Sequence, residues 1–135
     1  TENRADWVPD TLKLLDGIHR APFFSHAREA LPLTPSEYWN RQIWVAASFM
    51  GADESALRHE IGLGHLMWGA DYPHVEGTWP KTKLSLSRCF AGIPAAEMQQ
   101  ILEGNPAQLC GFDVAALQEV ADQIESPTAA ELTGV

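Results

Sequence analysis

The sequence predicts an α/β fold in which two buried parallel strands are joined by a helix. Residues 43–50 form an apolar run, partly β-branched and aromatic, that ends at turn residues, which is typical of a buried strand. Residues 66–70 form a second apolar run, and a helix with Asp53 as its N-cap and Gly62 at its end separates the two. Strand, helix and strand within about 28 residues indicate a parallel crossover, so we expect the strands to be neighbours in one sheet.

Helical periodicity predicts the remaining elements. Residues 6–19 carry apolar side chains at near-helical spacing, with Asp6 as the expected N-cap, and the proline-containing residues 21–33 read as a long connection. Thr34 and Glu37 have the spacing of a capping box and predict a short helix after them. Further helices are expected at residues 82–90, 94–103 and 113–124.

Composition limits the class of protein. The chain has 45% hydrophobic and 20% charged residues, as in an ordinary globular protein, and no apolar stretch approaches the roughly 20 residues that span a bilayer. Nine basic and eighteen acidic residues give a net charge of −9, which argues against nucleic acid as a partner. Cys89 and Cys110 stand in apolar helical surroundings, so we expect reduced core thiols and a cytoplasmic location.

The end of the second apolar run is the strongest candidate for a functional site. Asp71 follows that run directly, and parallel α/β folds collect their chemistry at the carboxyl ends of the strands. The alternative is that Asp71 only caps the turn at Tyr72 and Pro73. His74 follows three residues later in the sequence. Either it is located at the mouth of the site, or it only packs locally in the turn.

Several blocks in order along the chain resemble the amidohydrolase-related family, the metal-dependent hydrolases and decarboxylases built on a (β/α)8 barrel. Residues 66–80, Leu-Met-Trp-Gly-Ala-Asp-Tyr-Pro-His-Val-Glu-Gly-Thr-Trp-Pro, are similar to that family's last strand and loop. The resemblance extends to residues 35–38, 58–62 and 104–112. Pro106 and Cys110 depart from it, since the family more often has alanine and tyrosine there.

The resemblance implies a fold that is only partly contained in this chain. A complete barrel of this type needs about 250 residues, and the chain has 135. We therefore expect the C-terminal part of a TIM barrel, about two βα units plus C-terminal helices. Residues 1–125 would form this partial domain and residues 126–135 a short, frayed tail. The chain is then expected to be part of a longer polypeptide or a processed product.

The resemblance also assigns chemical roles. Asp71 would be the strand-eight aspartate that binds a divalent metal ion, with zinc the expected metal, and that acts as general base or proton shuttle towards the attacking water. His74 and Trp7 would lie near the substrate, although for Trp7 the alternative is a tryptophan that anchors a helix to the core. The family's His-x-His motif does not occur in the sequence, so we expect weak metal binding by the isolated chain.

The function that follows is hydrolysis of a small molecule at a C–N or C–O centre by metal-activated water. The same scaffold also hosts nonoxidative decarboxylases, and fold similarity does not decide between the two reactions. A rival of another class is a non-catalytic partial-barrel subunit. Because two strands cannot close a barrel, we expect the isolated chain to be inactive, and to associate with itself or require the missing N-terminal part of the barrel.

Overall fold

The computed structural model describes residues 3–133. Before the sheet, the chain forms α1 (Val8–Arg20), a 3-10 turn (Pro22–Phe24), α2 (Ser25–Ala30) and α3 (Pro35–Gln42). The sheet region comprises β1 (Val45–Ser48), α4 (Ala52–Ala56), α5 (Arg58–Ile61), a 3-10 turn (Leu63–His65) and β2 (Leu66–Gly69). After it come α6 (Thr82–Cys89), α7 (Ala95–Gln99), a π-helical turn (Gln100–Gly104), α8 (Asn105–Cys110), α9 (Val114–Gln123) and α10 (Ala129–Thr133).

The two predicted strands are parallel neighbours. Val45 pairs with Leu66 at one end of the ladder and Ser48 with Gly69 at the other. Within residues 3–133 these two strands make up the whole sheet, and α4 and α5 connect them. The α/β class and the parallel pairing are therefore confirmed, whereas the eight-stranded barrel stays a prediction.

A buried layer of side chains joins the sheet to the helices. Val45 and Leu66 are 7% and 0% exposed, and the π-helical turn and α8 pack against β2. Ile43, two residues before β1, is 41% exposed. The core also contains Met50, Ile61, Phe90 and Ile101.

Local capping signals had mixed outcomes. The capping box of α3 is confirmed: the Thr34 backbone N–H donates to Glu37 Oε2 over 2.7 Å, and the Glu37 N–H donates to Thr34 Oγ1 over 3.2 Å. The first of these bonds is the main reason that the pKa of Glu37 is lowered. Asp6 does not cap α1, which begins at Val8 and has Trp7 at its N-cap position; the Asp6 carboxylate pairs with Arg4 over 3.2 Å.

Two other segments differ from the sequence prediction. The stretch predicted as one long connection contains helix α2. The tail predicted to fray contains helix α10, whose Leu132 is 4% exposed and packs where α10 meets α6 and α7. Residues 1–2 and 134–135, at the outer ends of the predicted domain and tail, lie outside the described residues, and the division at residue 125 stays a prediction.

The cysteines have unequal environments. Cys89 is buried, and burial is the main reason that the pKa of its thiol is raised to about 12. Cys110 is exposed at the end of α8, so the prediction of a core thiol is wrong for this residue. Across the part of the chain that the structure describes, no helix combines the length and apolar character needed to cross a membrane.

Candidate metal centre at the carboxyl end of the sheet

Strand β2 brings Asp71 to the carboxyl edge of the sheet. The Phe49 N–H donates to Gly69 O over 2.9 Å, which extends the parallel ladder one residue past β1. Asp71 follows two residues after Gly69 and has a φ of 56°, in the left-handed region that aspartate tolerates better than most residues. Its side chain is only 10% exposed. A nearly buried carboxylate therefore stands at the sheet edge where the sequence predicted it.

A closed turn follows Asp71. The His74 N–H donates to Asp71 O over 2.9 Å, the Gly77 N–H to His74 O over 3.1 Å, and the Thr78 N–H to Ala70 O over 3.0 Å. The last bond joins the two ends of the turn, so the loop returns to the strand from which it left. The peptide bonds before Pro73 and Pro80 are cis.

Position 77 requires glycine, because three backbone carbonyl groups of the turn lie close to its Cα. A Cβ at this position would lie 2.8 Å from Asp71 O, 2.9 Å from Ala70 O and 3.0 Å from His74 O. These are backbone atoms that already accept hydrogen bonds, so they cannot move away independently. Glycine lets three carbonyl groups pack around one Cα, and this packing holds Asp71 and His74 in a fixed relation.

The turn brings together three side chains that are able to bind a metal ion. Ligand atoms of Asp71, His74 and Glu76 all lie within 4.8 Å of one another, and His74 Nδ1 is 3.3 Å from Asp71 Oδ2. His74 and Glu76 are exposed. Two carboxylates and one imidazole are donors that zinc and related divalent ions accept. The donor set therefore fits the metal expected from the sequence.

A groove of about 560 Å3 opens beside this cluster. Its walls are the residues after β1, the end of the turn and one side of α6, and Glu76 belongs to both the groove and the cluster. Trp79 contributes to the wall and contacts Tyr72 edge to face, with ring centroids 6.1 Å apart. Lys81 and Arg88 also line the groove, which thus combines apolar and cationic surface.

Trp7 lies elsewhere. Its indole Nε1 donates to Arg4 O over 2.8 Å, and its ring meets Trp39 of α3 at 84° with centroids 6.3 Å apart. These contacts connect the start of α1 to the buried Trp39. Both sequence interpretations of Trp7, a residue near the substrate and a residue that anchors a helix, stay predictions. The structure does not bring Trp7 into the cluster of Asp71, His74 and Glu76.

Glu54 supports the carboxyl edge of β1, and the sequence prediction missed it. Its side chain is fully buried, Oε1 accepts the Ala5 N–H over 2.6 Å, and Oε2 accepts the Gly51 N–H over 3.0 Å. The predicted cap, Asp53, points instead to Arg4, and this hydrogen bond lowers the pKa of Asp53. The sequence signal for Glu54 was its position three residues after Gly51, the N3 position of a helix start.

Asn105 is a second supporting residue that the sequence did not indicate as functional. It is 2% exposed, and its amide Nδ2 donates to Leu63 O and to Leu66 O, each over 2.7 Å. The amide therefore fixes the start of β2 against the first turn of α8. The same strand carries Asp71 beyond its other end.

Comparison with known proteins identifies the family of this arrangement. A family model described as "Amidohydrolase" matches residues 15–112, which include both strands, the three-residue cluster and the groove. A search of curated proteins found no significant match.

Proposed function

The chain belongs to the amidohydrolase family, and from that premise we propose that it is part of a metal-dependent hydrolase in which Asp71 binds the metal ion and transfers the proton of the attacking water. In this proposal the two strands and their helices form the C-terminal part of a (β/α)8 barrel, and the substrate is a small molecule cleaved at a C–N or C–O centre.

The position of Asp71 carries the proposal. Its carboxylate is 10% exposed at the carboxyl edge of two parallel strands, the edge at which barrel enzymes place their catalytic groups. If Asp71 served only as a turn cap, a mostly buried charge beside an imidazole and a second carboxylate would not be needed. The family match adds the expectation of a metal ion, since proteins of this family are typically metal-dependent.

A divalent metal ion, when bound, lowers the pKa of a water ligand to near 7 and polarises a substrate carbonyl. This chain would contribute a proton acceptor close to the attacking water. Asp71 would accept the proton of the attacking water and pass it to the leaving group, which requires a fixed carboxylate within hydrogen-bond reach. The turn closed by Thr78 provides that fixed position.

The groove beside the cluster suits a small substrate. Its volume of about 560 Å3 is in the range of known small-molecule sites, and Phe49, Leu84 and Trp79 provide apolar walls. Substrate held in this groove would lie next to Glu76, at the boundary between groove and cluster. His74 would contact the substrate or orient Asp71 through the 3.3 Å approach of Nδ1 to Oδ2.

The experiment is Asp71→Asn in the complete enzyme, with turnover and metal content measured together. Asparagine keeps the volume and tolerates the left-handed φ, but it cannot take up the proton, so we expect turnover to fall by about 100-fold or more. The matched control is Asp53→Asn, an exposed carboxylate at the same sheet edge, which should keep near wild-type turnover. Equal turnover in Asp71→Asn and wild type would refute the proposal, and release of CO2 instead of a hydrolysis product would favour the decarboxylase alternative.

A further inference from the structure

The cluster at the end of β2 contains three possible metal ligands, although the sequence predicted only one, Asp71. The sequence indicated one donor, Asp71, and the family's histidine ligands from other strands are not found in this chain. The turn nevertheless brings His74 and Glu76 to the same place as Asp71. We propose that Asp71, His74 and Glu76 together form a metal site through which this chain binds a zinc-class divalent ion by itself.

This inference deepens the proposed function and rests on it for the role of Asp71 as a metal ligand. It adds two ligands, and it adds that the 71–80 loop takes up the ion by itself. In the complete barrel the loop would then bind the ion from one side, while the remaining strands contribute the other groups of the site. An isolated chain with one carboxylate would bind zinc negligibly, whereas three donors give measurable affinity.

The observed spacing supports three ligands. Zinc bonds to nitrogen and oxygen are about 2.0–2.2 Å long, so neighbouring ligand atoms in a tetrahedral site are roughly 3.4 Å apart. Asp71 Oδ2 and His74 Nδ1 already have this separation, at 3.3 Å. All three donor atoms lie within 4.8 Å. Because Glu76 is exposed, rotation about its side-chain bonds can bring its carboxylate closer while the backbone stays in place.

The rigidity of the loop favours binding further. Three backbone hydrogen bonds close the turn, and three carbonyl groups pack around Gly77, so the Cα positions of Asp71 and His74 are fixed before an ion arrives. Preorganised ligands lose little freedom on binding, which raises affinity. The two carboxylates also neutralise the charge of a divalent ion in a site where Asp71 is largely shielded from water.

The competing explanation is an ion pair without a metal. A protonated Nδ1 of His74 would then donate to Asp71, and Glu76 would only face solvent. The chain contains a comparison for this case: His59 Nε2 lies 3.3 Å from Glu97 Oε1, the same separation. Neither residue belongs to a group of three donors in the described part of the chain. Glu97 also accepts a hydrogen bond from Arg58 Nε over 2.5 Å. If a histidine–carboxylate pair were enough for binding, the His59–Glu97 pair would also take up metal.

The test is titration of the 135-residue chain with Zn2+ by calorimetry and with Co2+ by visible absorption. We expect the wild-type chain to bind one equivalent. The affinity should fall by about 10-fold or more in His74→Gln and in Glu76→Gln, and by a larger factor in Asp71→Asn. His59→Gln is the control and should bind as wild type does. The histidine ring signals in NMR spectra should identify His74 as the one that shifts with Zn2+.

Circular dichroism of the metal-free variants checks that the fold is retained, which we expect because His74 and Glu76 are exposed. No binding of either ion up to about 1 mM, or binding that His74→Gln and Glu76→Gln leave unchanged, would overturn the inference. If these two variants bind normally while Asp71→Asn abolishes turnover in the complete enzyme, the proposed function stands and the three-ligand site falls. If the chain binds through all three residues but the Asp71→Asn enzyme remains active, the proposed function falls instead.

Discussion

Replacement of Gly77 by alanine should disturb the proposed metal centre, although Gly77 itself has no side chain that could bind an ion. The added Cβ would lie 2.8, 2.9 and 3.0 Å from the carbonyl oxygens of Asp71, Ala70 and His74. Real Cβ atoms essentially never approach another heavy atom within 3.0 Å, so at least one peptide group must shift by several tenths of an ångström. Since each oxygen also accepts a backbone hydrogen bond, any shift strains the turn at more than one point.

The magnitude follows from these contacts. Insertion of one methyl group into a well-packed site usually costs about 1–3 kcal/mol, and the involvement of three backbone atoms places Gly77→Ala at about 2–3 kcal/mol. For a chain of this size, we expect a decrease in Tm of roughly 5–10 °C. A displacement of His74 relative to Asp71 would also change the 3.3 Å separation of their ligand atoms, so Zn2+ affinity should fall by about 10-fold.

Two measurements check this: the Tm of the metal-free chain, by circular dichroism, and its Zn2+ affinity, by calorimetry. Gly17→Ala is the matched control, because Gly17 lies in α1 and no other group comes within 4 Å of the place that its Cβ would occupy. There alanine should raise stability by about 0.5–1 kcal/mol through its better helix propensity. If Gly77→Ala melts and binds Zn2+ as wild type does, the close packing around Gly77 does not hold the metal centre.

Three further outcomes follow from the structure. Glu54→Gln should lower the free energy of unfolding by about 2–3 kcal/mol, because one buried backbone donor loses its acceptor. Denaturant unfolding measures this free energy, and a change below about 0.5 kcal/mol would contradict the role assigned to Glu54. A thiol reagent at pH 8 should label exposed Cys110 quickly and Cys89, whose pKa is raised to about 12, only after unfolding; equal labelling rates in the folded chain would count against this. The isolated chain should self-associate, and sedimentation that shows a compact monomer would contradict this expectation.

The sequence predicted the elements that depend on local patterns. Two apolar runs separated by a helix were enough for parallel strands, and the Thr34–Glu37 spacing was enough for the start of α3. For α3 the deciding contacts lie within the first turn of the helix, whereas the strands pair over a longer distance in sequence and were predicted from the order strand, helix, strand. The position of Asp71 at the strand end followed from the same run, because an acid directly after a buried strand has few other places to lie.

What the sequence did not reveal depends on contacts between distant residues. Asp53 looked like a helix cap by itself, but α4 begins at Ala52 with Gly51 as its N-cap, and Asp53 pairs with Arg4, 49 positions earlier. Cys110 stood in an apolar pattern, yet no element within the described residues covers it. The role of Asn105 depends on two carbonyl groups 42 and 39 residues away, which no local pattern encodes.

The distant contacts also explain how so small a sheet can hold the Asp71 carboxylate in place. Two strands of four residues share few ladder hydrogen bonds, so pairing alone fixes the end of β2 weakly. The structure adds polar contacts at both ends: Asn105 holds the start of β2, and Thr78 returns the loop to Ala70 beyond its end. Glu54 does the same for the residues that follow β1. Buried side-chain and turn hydrogen bonds therefore add to the strand pairing that positions Asp71, and all of them form between residues of this chain.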